Sequence, residues 1–152
     1  ELLCARLATF LSTASSRVLV NGCPGRKFRH VKGLRQGDPV SPLLFVIAMD
    51  VLTTLMTKAQ AYGAISAMPG CSPFQRLSIY ADDVILFIRP TIADLNFTRE
   101  ALQMFGTASG LHVNFAKSPA IRIRSNEADT VRVSNALLWH MEVFPCKYLG
   151  LP

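Results

Sequence analysis

Runs of hydrophobic residues predict a mixed α and β chain, and the clearest pattern lies in residues 77–89. Two apolar runs there flank a polar break, Ala81-Asp82-Asp83. The first run alternates apolar and polar positions, while residues 84–88 are apolar throughout, which is typical of a strand buried on both faces. The simplest interpretation is a β-hairpin with Asp82 and Asp83 at its tip.

Two helices are predicted before this hairpin. Residues 1–13 repeat apolar side chains at helical intervals, which predicts an amphipathic helix. Ser41 followed by Pro42 is a favourable helix start, and the helix that it opens is expected to run to about residue 62. The first half of this second helix is apolar almost all round, which indicates a core helix.

A third helix is predicted after the hairpin. Thr91 and Asp94 match the capping pattern in which Ser or Thr is followed three residues later by an acid. The helix is expected to reach about residue 108 and to present three apolar side chains to the core: Leu95, Leu102 and Phe105.

The remaining extended segments are short. Residues 18–20 and 28–31 are expected to pair as a hairpin, because the segment between them is dense in turn-forming residues. Residues 111–118 are expected to form a strand and turn, and residues 121–124 a half-exposed strand. The predicted fold class is therefore α+β, with a small antiparallel sheet that carries the Asp-Asp hairpin and is backed by two or three helices.

Charge is distributed unevenly along the chain. The net charge is +6, and residues 2–37 contain seven Lys or Arg but no acid. Such a block suggests a phosphate-rich partner, and the hairpin of residues 18–31 is expected to lie along a nucleic-acid backbone. The alternative is a solvated basic face with no specific partner.

Other features limit the class of protein. The four cysteines include no Cys-x-x-Cys pair, so neither a zinc site nor a disulfide framework is indicated. The longest apolar run, residues 43–49, is too short to span a bilayer, and no signal peptide is recognisable. A reducing location in the nucleus or cytoplasm, without a membrane partner, is expected.

Two stretches carry candidate chemistry. Adjacent carboxylates beside apolar strands repel each other, and a hard divalent cation such as Mg²⁺ would offset that repulsion. One of Asp82 and Asp83 is expected to point into a site, because neighbouring residues of an extended chain face opposite ways. The alternative is a solvated turn, since Asp is a common turn residue.

The second stretch is residues 33–42, where two glycines and two prolines predict an irregular loop that a ligand can approach closely. Gln36 offers both a donor and an acceptor within it. The alternative is a simple helix entry, with Asp38 as a favourable charge near the helix N-terminus.

Four motifs together resemble reverse transcriptases, in particular those of non-LTR, LINE-type retrotransposons in the form common in plant genomes. They are Gly-Leu-Arg-Gln-Gly-Asp-Pro-Val-Ser-Pro-Leu-Leu-Phe at 33–45, Tyr-Ala-Asp-Asp at 80–83, Ser-Gly-Leu-His-Val-Asn-Phe-Ala-Lys-Ser at 109–118 and Tyr-Leu-Gly-Leu-Pro at 148–152. Their order and spacing match the family over nearly the whole chain.

The resemblance implies roles for particular residues. Asp82 and Asp83 would be catalytic, metal-binding aspartates of a polymerase palm, and Lys117 would lie near the triphosphate. The residues implied to contact template, primer end or incoming nucleotide are Gly33, Arg35, Gln36, Gly37, Tyr80 and Ala81. The residues implied to form the start of the primer grip are Tyr148, Leu149 and Gly150.

The implied reaction is RNA-directed DNA synthesis from an RNA template, a DNA primer and deoxynucleoside triphosphates. A primer 3′-hydroxyl would attack the α-phosphate, with two Mg²⁺ or Mn²⁺ ions stabilising the attacking and leaving oxygens.

The chain also departs from the family pattern. The family places a further metal-binding aspartate on a strand before the Gly-Leu-Arg-Gln loop, yet no aspartate precedes Asp38. Residues 1–152 are therefore expected to be a partial palm domain, which lacks the fingers, that first aspartate strand and the thumb, and which is inactive alone. The alternatives are a non-catalytic basic nucleic-acid-binding remnant or domesticated module, and an α/β domain with a polar hairpin tip.

Overall fold

A computed structural model describes residues 2–70, 72–123, 127–137, 139–146 and 148. The helices and strands are, in chain order, α1 (Leu2–Thr13), β1 (Ser15–Ser16), β2 (Leu19–Val20), β3 (Cys23–Pro24), β4 (Phe28–Arg29), α2 (Val40–Ala61), β5 (Leu77–Tyr80), β6 (Asp83–Leu86), α3 (Ile92–Ser109), β7 (Ala120–Ile121), α4 (Glu127–Leu137) and β8 (Met141–Glu142). The chain forms two compact units, Glu1–Ala48 and Met49–Pro152.

The first unit contains the predicted basic hairpin. β1 pairs with β4 and β2 pairs with β3, both antiparallel. Asn21 and Gly22 form the turn with φ angles of 50° and 78°, a left-handed conformation that Asn and Gly tolerate better than other residues. The predicted partners were wrong: residues 19–20 pair with residues 23–24, which the sequence assigns to the turn, and residues 28–29 pair with residues 15–16.

Helix α1 is confirmed by the structure, but its apolar face is not covered. Leu3 is 69% exposed and Phe10 is 39% exposed, and none of the described residues of α1 is buried. The spacing of apolar residues therefore predicted the helix correctly, and its apolar side chains stay exposed among the described residues.

Helix α2 begins at Val40, earlier than the predicted start at Ser41 and Pro42. The carboxylate of Asp38 accepts a hydrogen bond from the Val40 amide at 3.0 Å, which satisfies one of the free donors at the helix start. Ser41 instead donates its hydroxyl to the Arg35 carbonyl at 2.8 Å. The prediction of Ser41 as the capping residue was wrong, because an acid closer to the loop takes that role.

The first half of α2 is not a core helix among the described residues. Leu43, Val46 and Ile47 are each more than 60% exposed. The buried positions belong to the second half of the helix and are Met49, Leu52, Met56 and Ala59. A helix that is apolar all round needs neighbours on every side, and the described elements cover only its later turns.

Helix α2 also bears on the expectation about membranes. Over its 22 residues it is the one helix of the described ranges that is long and apolar enough to cross a membrane. The apolar run 43–49, counted alone, predicts no membrane-spanning segment, because it is too short to span a bilayer. Core helices of soluble proteins pass the same test, so length and composition alone assign no membrane location.

Helix α3 forms as its capping pattern predicts. The Thr91 hydroxyl accepts a hydrogen bond from the Asp94 amide at 3.2 Å, and Gly110 ends the helix with a φ of 78°. The three apolar residues predicted to face the core, Leu95, Leu102 and Phe105, are 1%, 8% and 8% exposed. α3 packs against α4.

The strands form four separate pairs in the part of the chain that is described, rather than the one antiparallel sheet predicted. β7 and β8 pair in parallel, and the other three pairs are antiparallel. Residues 111–118 do not form the predicted strand; they contain a 3₁₀ turn, Phe115–Lys117. Of the predicted strand 121–124, only Ile121 belongs to a strand, and residue 124 lies outside the described residues.

Candidate active site

The two aspartates lie on the hairpin formed by β5 and β6 in the second unit. The strands pair from Leu77 opposite Leu86 to Tyr80 opposite Asp83. Ala81 and Asp82 are thus the two turn residues, while Asp83 is the first residue of β6. The two carboxylates therefore have different backbone settings, one in the turn and one at the start of a strand.

The turn itself has an unfavourable backbone. Ala81 has a φ of 50°, and a residue with a Cβ atom loses roughly 1–2 kcal/mol in this left-handed conformation. Strained backbone of this kind persists only where the surrounding structure enforces it, and it is concentrated at functional sites. The strain immediately precedes Asp82.

Both aspartates are exposed, which contradicts the expectation of a costly burial beside apolar strands. β6 is not buried on both faces either, since Val84 is 40% exposed. Among the described residues, neither carboxylate has a hydrogen bond or an ion pair. All four carboxylate oxygens are therefore available to an external partner.

The carboxylates of Asp82 and Asp83 can supply only part of the ligands that a metal ion needs. In the described part of the chain, no group of three His, Cys, Asp or Glu residues is placed to hold a metal. Mg²⁺, however, is commonly bound by one or two carboxylates together with substrate phosphates and water. Asp82 and Asp83 are suited to that shared coordination and not to a closed protein cage.

Arg76 lies at the base of the same hairpin, and the sequence did not single it out. Its side chain is 1% exposed. It donates from Nε and Nη2 to the Gln60 Oε1 atom at 3.1 and 2.9 Å, and from Nη1 to the Phe87 carbonyl at 3.2 Å. The Phe87 amide in turn donates to the Arg76 carbonyl at 2.9 Å, which continues the strand pairing beyond Leu77 and Leu86.

A second buried charge extends this network. Asp94 is 2% exposed and accepts hydrogen bonds from the Ser66 amide at 3.1 Å and the Ser66 hydroxyl at 3.0 Å. The Ser66 carbonyl accepts a hydrogen bond from Arg76, and the Thr91 hydroxyl donates to Asp94 at 3.0 Å. The base of the hairpin is thus tied to the start of α3 by buried polar contacts.

The predicted substrate loop lies in the first unit. Gly33 and Gly37 have φ angles of 76° and 82°, so both use the left-handed conformation that glycine allows. The Arg35 carbonyl accepts hydrogen bonds from the Asp38 amide at 3.3 Å and the Ser41 hydroxyl, which fixes the turn. The side chains of Arg35 and Gln36 are exposed.

The other predicted site residues are spread along the second unit. Lys117 is exposed in the Phe115–Lys117 turn, and within the described ranges no hydrogen bond or ion pair joins it to the aspartates. Tyr148 is half-buried, whereas Leu149 and Gly150 lie outside the described residues. The structure groups Tyr80, Ala81, Asp82 and Asp83 on one hairpin tip.

Comparison with known proteins decides the family. The family described as reverse transcriptase (RNA-dependent DNA polymerase) matches residues 3–152. The chain belongs to the reverse transcriptase family. The mixture of helices with small sheets is consistent with a partial palm-like domain of such an enzyme. Reverse transcriptases act on nucleic-acid templates, primers and nucleotides, and in general use divalent metal ions.

Individual relatives are much longer than the matched segment. The chain is 28% identical over 146 residues to the uncharacterised 149 kDa protein of transposon TX1 from Xenopus laevis, covering 95% of the chain and 11% of that protein. It is 32% identical over 90 residues to the Pol polyprotein of the type-1 retrotransposable element R2 from Nasonia vitripennis, covering 59% of the chain and 7% of that protein.

A third relative comes from a plant. An uncharacterised mitochondrial protein of Arabidopsis thaliana is 36% identical over 67 residues, covering 43% of the chain and 55% of that protein. Its shared segment is too short to bear on more than part of this reverse transcriptase domain.

Proposed function

We propose that this reverse transcriptase chain is part of the palm of an RNA-directed DNA polymerase from a LINE-type, non-LTR retroelement, and that Asp82 and Asp83 are its metal-binding carboxylates. The observation that carries the proposal is the hairpin tip, where two exposed carboxylates, which have no hydrogen bond or ion pair within the described ranges, follow a strained residue. The relatives from transposon TX1 and element R2 support the type of element.

The aspartates would hold divalent ions between the protein and the substrate phosphates. When bound, two such ions stabilise the attacking and leaving oxygens of nucleotidyl transfer. The chain's own contribution is to present both carboxylates from a fixed hairpin, which positions them without further ordering of the backbone.

Other residues would contribute to substrate binding. Tyr80 is 64% exposed and offers a ring on which a base can stack. Arg35 and Gln36, both exposed, offer donors for the template or the incoming nucleotide. Lys117 offers an exposed positive charge for the triphosphate, and Tyr148 belongs to the segment proposed as the primer grip.

The proposal is tested by metal binding at the hairpin. Mn²⁺, a paramagnetic substitute for Mg²⁺, is added to the isotope-labelled chain, and the amide signals of Tyr80 to Val84 are followed by NMR. We expect those signals to broaden first, and the Asp82→Asn, Asp83→Asn double variant to lose the broadening, because both carboxylate ligands become neutral amides.

The matched control is Asp50→Asn, which removes an exposed carboxylate on α2 and should leave the broadening unchanged. Broadening that survives in the double variant would contradict the proposal. Absence of carboxylate-dependent broadening, together with intact RNA binding, would favour the non-catalytic nucleic-acid-binding module instead.

A further inference from the structure

The basic hairpin of the first unit changes register between its two paired segments. Ser16 lies opposite Phe28, and Leu19 lies opposite Pro24. From Ser16 to Leu19 the chain advances three residues, whereas from Pro24 to Phe28 it advances four. The side of the hairpin that contains β3 and β4 therefore has one extra residue. The Gly25 amide donates to the Val18 carbonyl at 2.8 Å, which places the extra residue between Gly25 and Phe28. This is a β-bulge.

The bulge brings positive charges together. By this register Arg17, between β1 and β2, lies opposite Arg26 and Lys27, between β3 and β4. Like charges directly across a strand pair are destabilising, and bulges occur preferentially where a side chain must be directed toward a functional site. An anion between the strands would remove the repulsion.

A cleft lies beside this bulge. Its volume is about 400 Å³, it is broadly open to solvent, and it is lined by Ser15, Ser16, Arg17, Lys27 and Arg35. Three of these five residues are cationic and two carry hydroxyl groups. Throughout the described residues, the side chains of Arg17, Lys27 and Arg35 have no hydrogen bond or ion pair, so their donors are available.

We propose that this cleft binds one phosphate group of a polynucleotide backbone, held by Arg17, Lys27 and Arg35. Guanidinium groups bind phosphate oxygens through paired, charge-assisted hydrogen bonds, and Lys adds a compact charge. Only the choice of a polynucleotide as the source of the phosphate rests on the proposed function. The site joins the basic hairpin to the Gly33–Gly37 loop, two stretches that the sequence pattern treats separately.

The side chains around the cleft suit a ligand that passes through it. Ser16 is held by its contact with His30, where Oγ and Nε2 are 2.7 Å apart. The three cations come from β-hairpin and loop positions that are all exposed, so a long strand can reach them without opening the fold. A phosphodiester in a continuous chain therefore fits better than an enclosed small ligand.

The experiment measures binding of a fluorescently labelled single-stranded RNA by anisotropy, at several salt concentrations and with EDTA present. The Arg17→Gln, Lys27→Gln variant is compared with Arg6→Gln, Lys58→Gln, which removes the same charge at exposed positions outside the cleft. For the cleft variant, the slope of log K against log salt should become less negative by about 0.7, since the cleft holds one phosphate and each lost phosphate contact contributes about 0.7 for single strands. The control should change the slope by less than half of that.

Equal changes of the salt slope in the two double variants would overturn the proposal, because RNA binding would then depend only on the overall charge of the chain. A Lys27→Arg variant, which keeps the charge, should restore most of the binding lost on Lys27→Gln. Unfolding curves that match those of the unaltered chain exclude misfolding as the cause of any loss.

A second arm identifies the source of the phosphate. Inorganic phosphate is titrated while the amide signals of Ser15 to Arg17 are followed by NMR, and we expect it to bind far more weakly than the RNA. Saturation by inorganic phosphate at concentrations where RNA leaves these signals unmoved would also overturn the proposal. Since no metal is present, failure here is distinguishable from failure of the Mn²⁺ experiment on Asp82 and Asp83.

Discussion

The hairpins around Asn21 and Asp82 both reverse the chain through a two-residue turn, but with different residues. In the first unit the turn is Asn21-Gly22, and both residues have positive φ angles that suit them. In the second unit the turn is Ala81-Asp82, and an alanine holds a φ of 50° that does not suit it. A relaxed turn marks a hairpin that its own residues specify, whereas a strained turn needs support from elsewhere.

The support for the strained turn lies at the opposite end of its hairpin. Arg76 contacts Gln60, Ser66 and Phe87 from a fully buried position. The relaxed hairpin has no such anchor among the described residues, and both of its turn-proximal strands, β2 and β3, are exposed. Substitutions at the anchor and at each turn should therefore affect the two hairpins differently.

Loss of the anchor should have the largest effect. Arg76→Ala removes a buried guanidinium and leaves the Gln60 side chain and two carbonyls without their donor, which we expect to lower the free energy of unfolding by roughly 3 kcal/mol. Urea unfolding followed by circular dichroism measures the change. The matched control is Arg89→Ala, an exposed arginine near the end of the same hairpin, which should change stability by less than about 0.5 kcal/mol. Equal losses in both variants would contradict the anchoring role.

An intermediate effect is expected in the relaxed turn. Gly22→Ala places a Cβ atom at a φ of 78°, which should destabilise the β2–β3 pairing by about 1–2 kcal/mol. Because this hairpin is exposed, the loss should be local, and amide hydrogen exchange of Val20 and Cys23 is the measurement. Cys23→Ala, at an exposed strand position, should leave exchange nearly unchanged. Unaltered protection in Gly22→Ala would mean that the turn does not determine the pairing.

The smallest effect, and one of opposite sign, is expected in the strained turn. Ala81→Gly should raise stability by less than about 1 kcal/mol, because the relief of strain exceeds the added freedom of glycine in the unfolded chain. Ala93→Gly, in α3, should instead lower stability by about 0.5–1 kcal/mol. Thermal unfolding of the two variants gives the sign directly, and a matching loss in both would show that Ala81 is not strained.

Local signals explain what the sequence predicted correctly. Thr91 and Asp94 are three residues apart, so the cap of α3 could be recognised from neighbouring positions. A turn within residues 21–25 and the hairpin around Asp82 were predicted for the same reason, although the first turn proved shorter, because residues 23–24 are paired. The position of the aspartates was thus predictable to within a residue, and the match to reverse transcriptases over residues 3–152 agrees with the motifs.

Non-local contacts explain what the sequence did not predict. The partners of Arg76 lie 10 to 16 residues away, and no periodic pattern places a lone arginine inside the core. Asp38 and Ser41 both suit a helix start, and the choice between them depends on the loop geometry at Arg35. The exposure of Leu43 and Ile47 depends on which elements cover α2, which an apolar run alone does not specify.

The register of β5 and β6 has a consequence for how this segment tolerates change over many generations of copying. Tyr80 and Asp83 are paired on one face together with Ser78, while Leu77 and Ile79 occupy the other. A substitution alters one position on one face. Insertion or deletion of a single residue within a strand would exchange the two faces beyond it, turning leucine outward and tyrosine inward. Related sequences should therefore differ in this hairpin by substitutions far more often than by insertions or deletions.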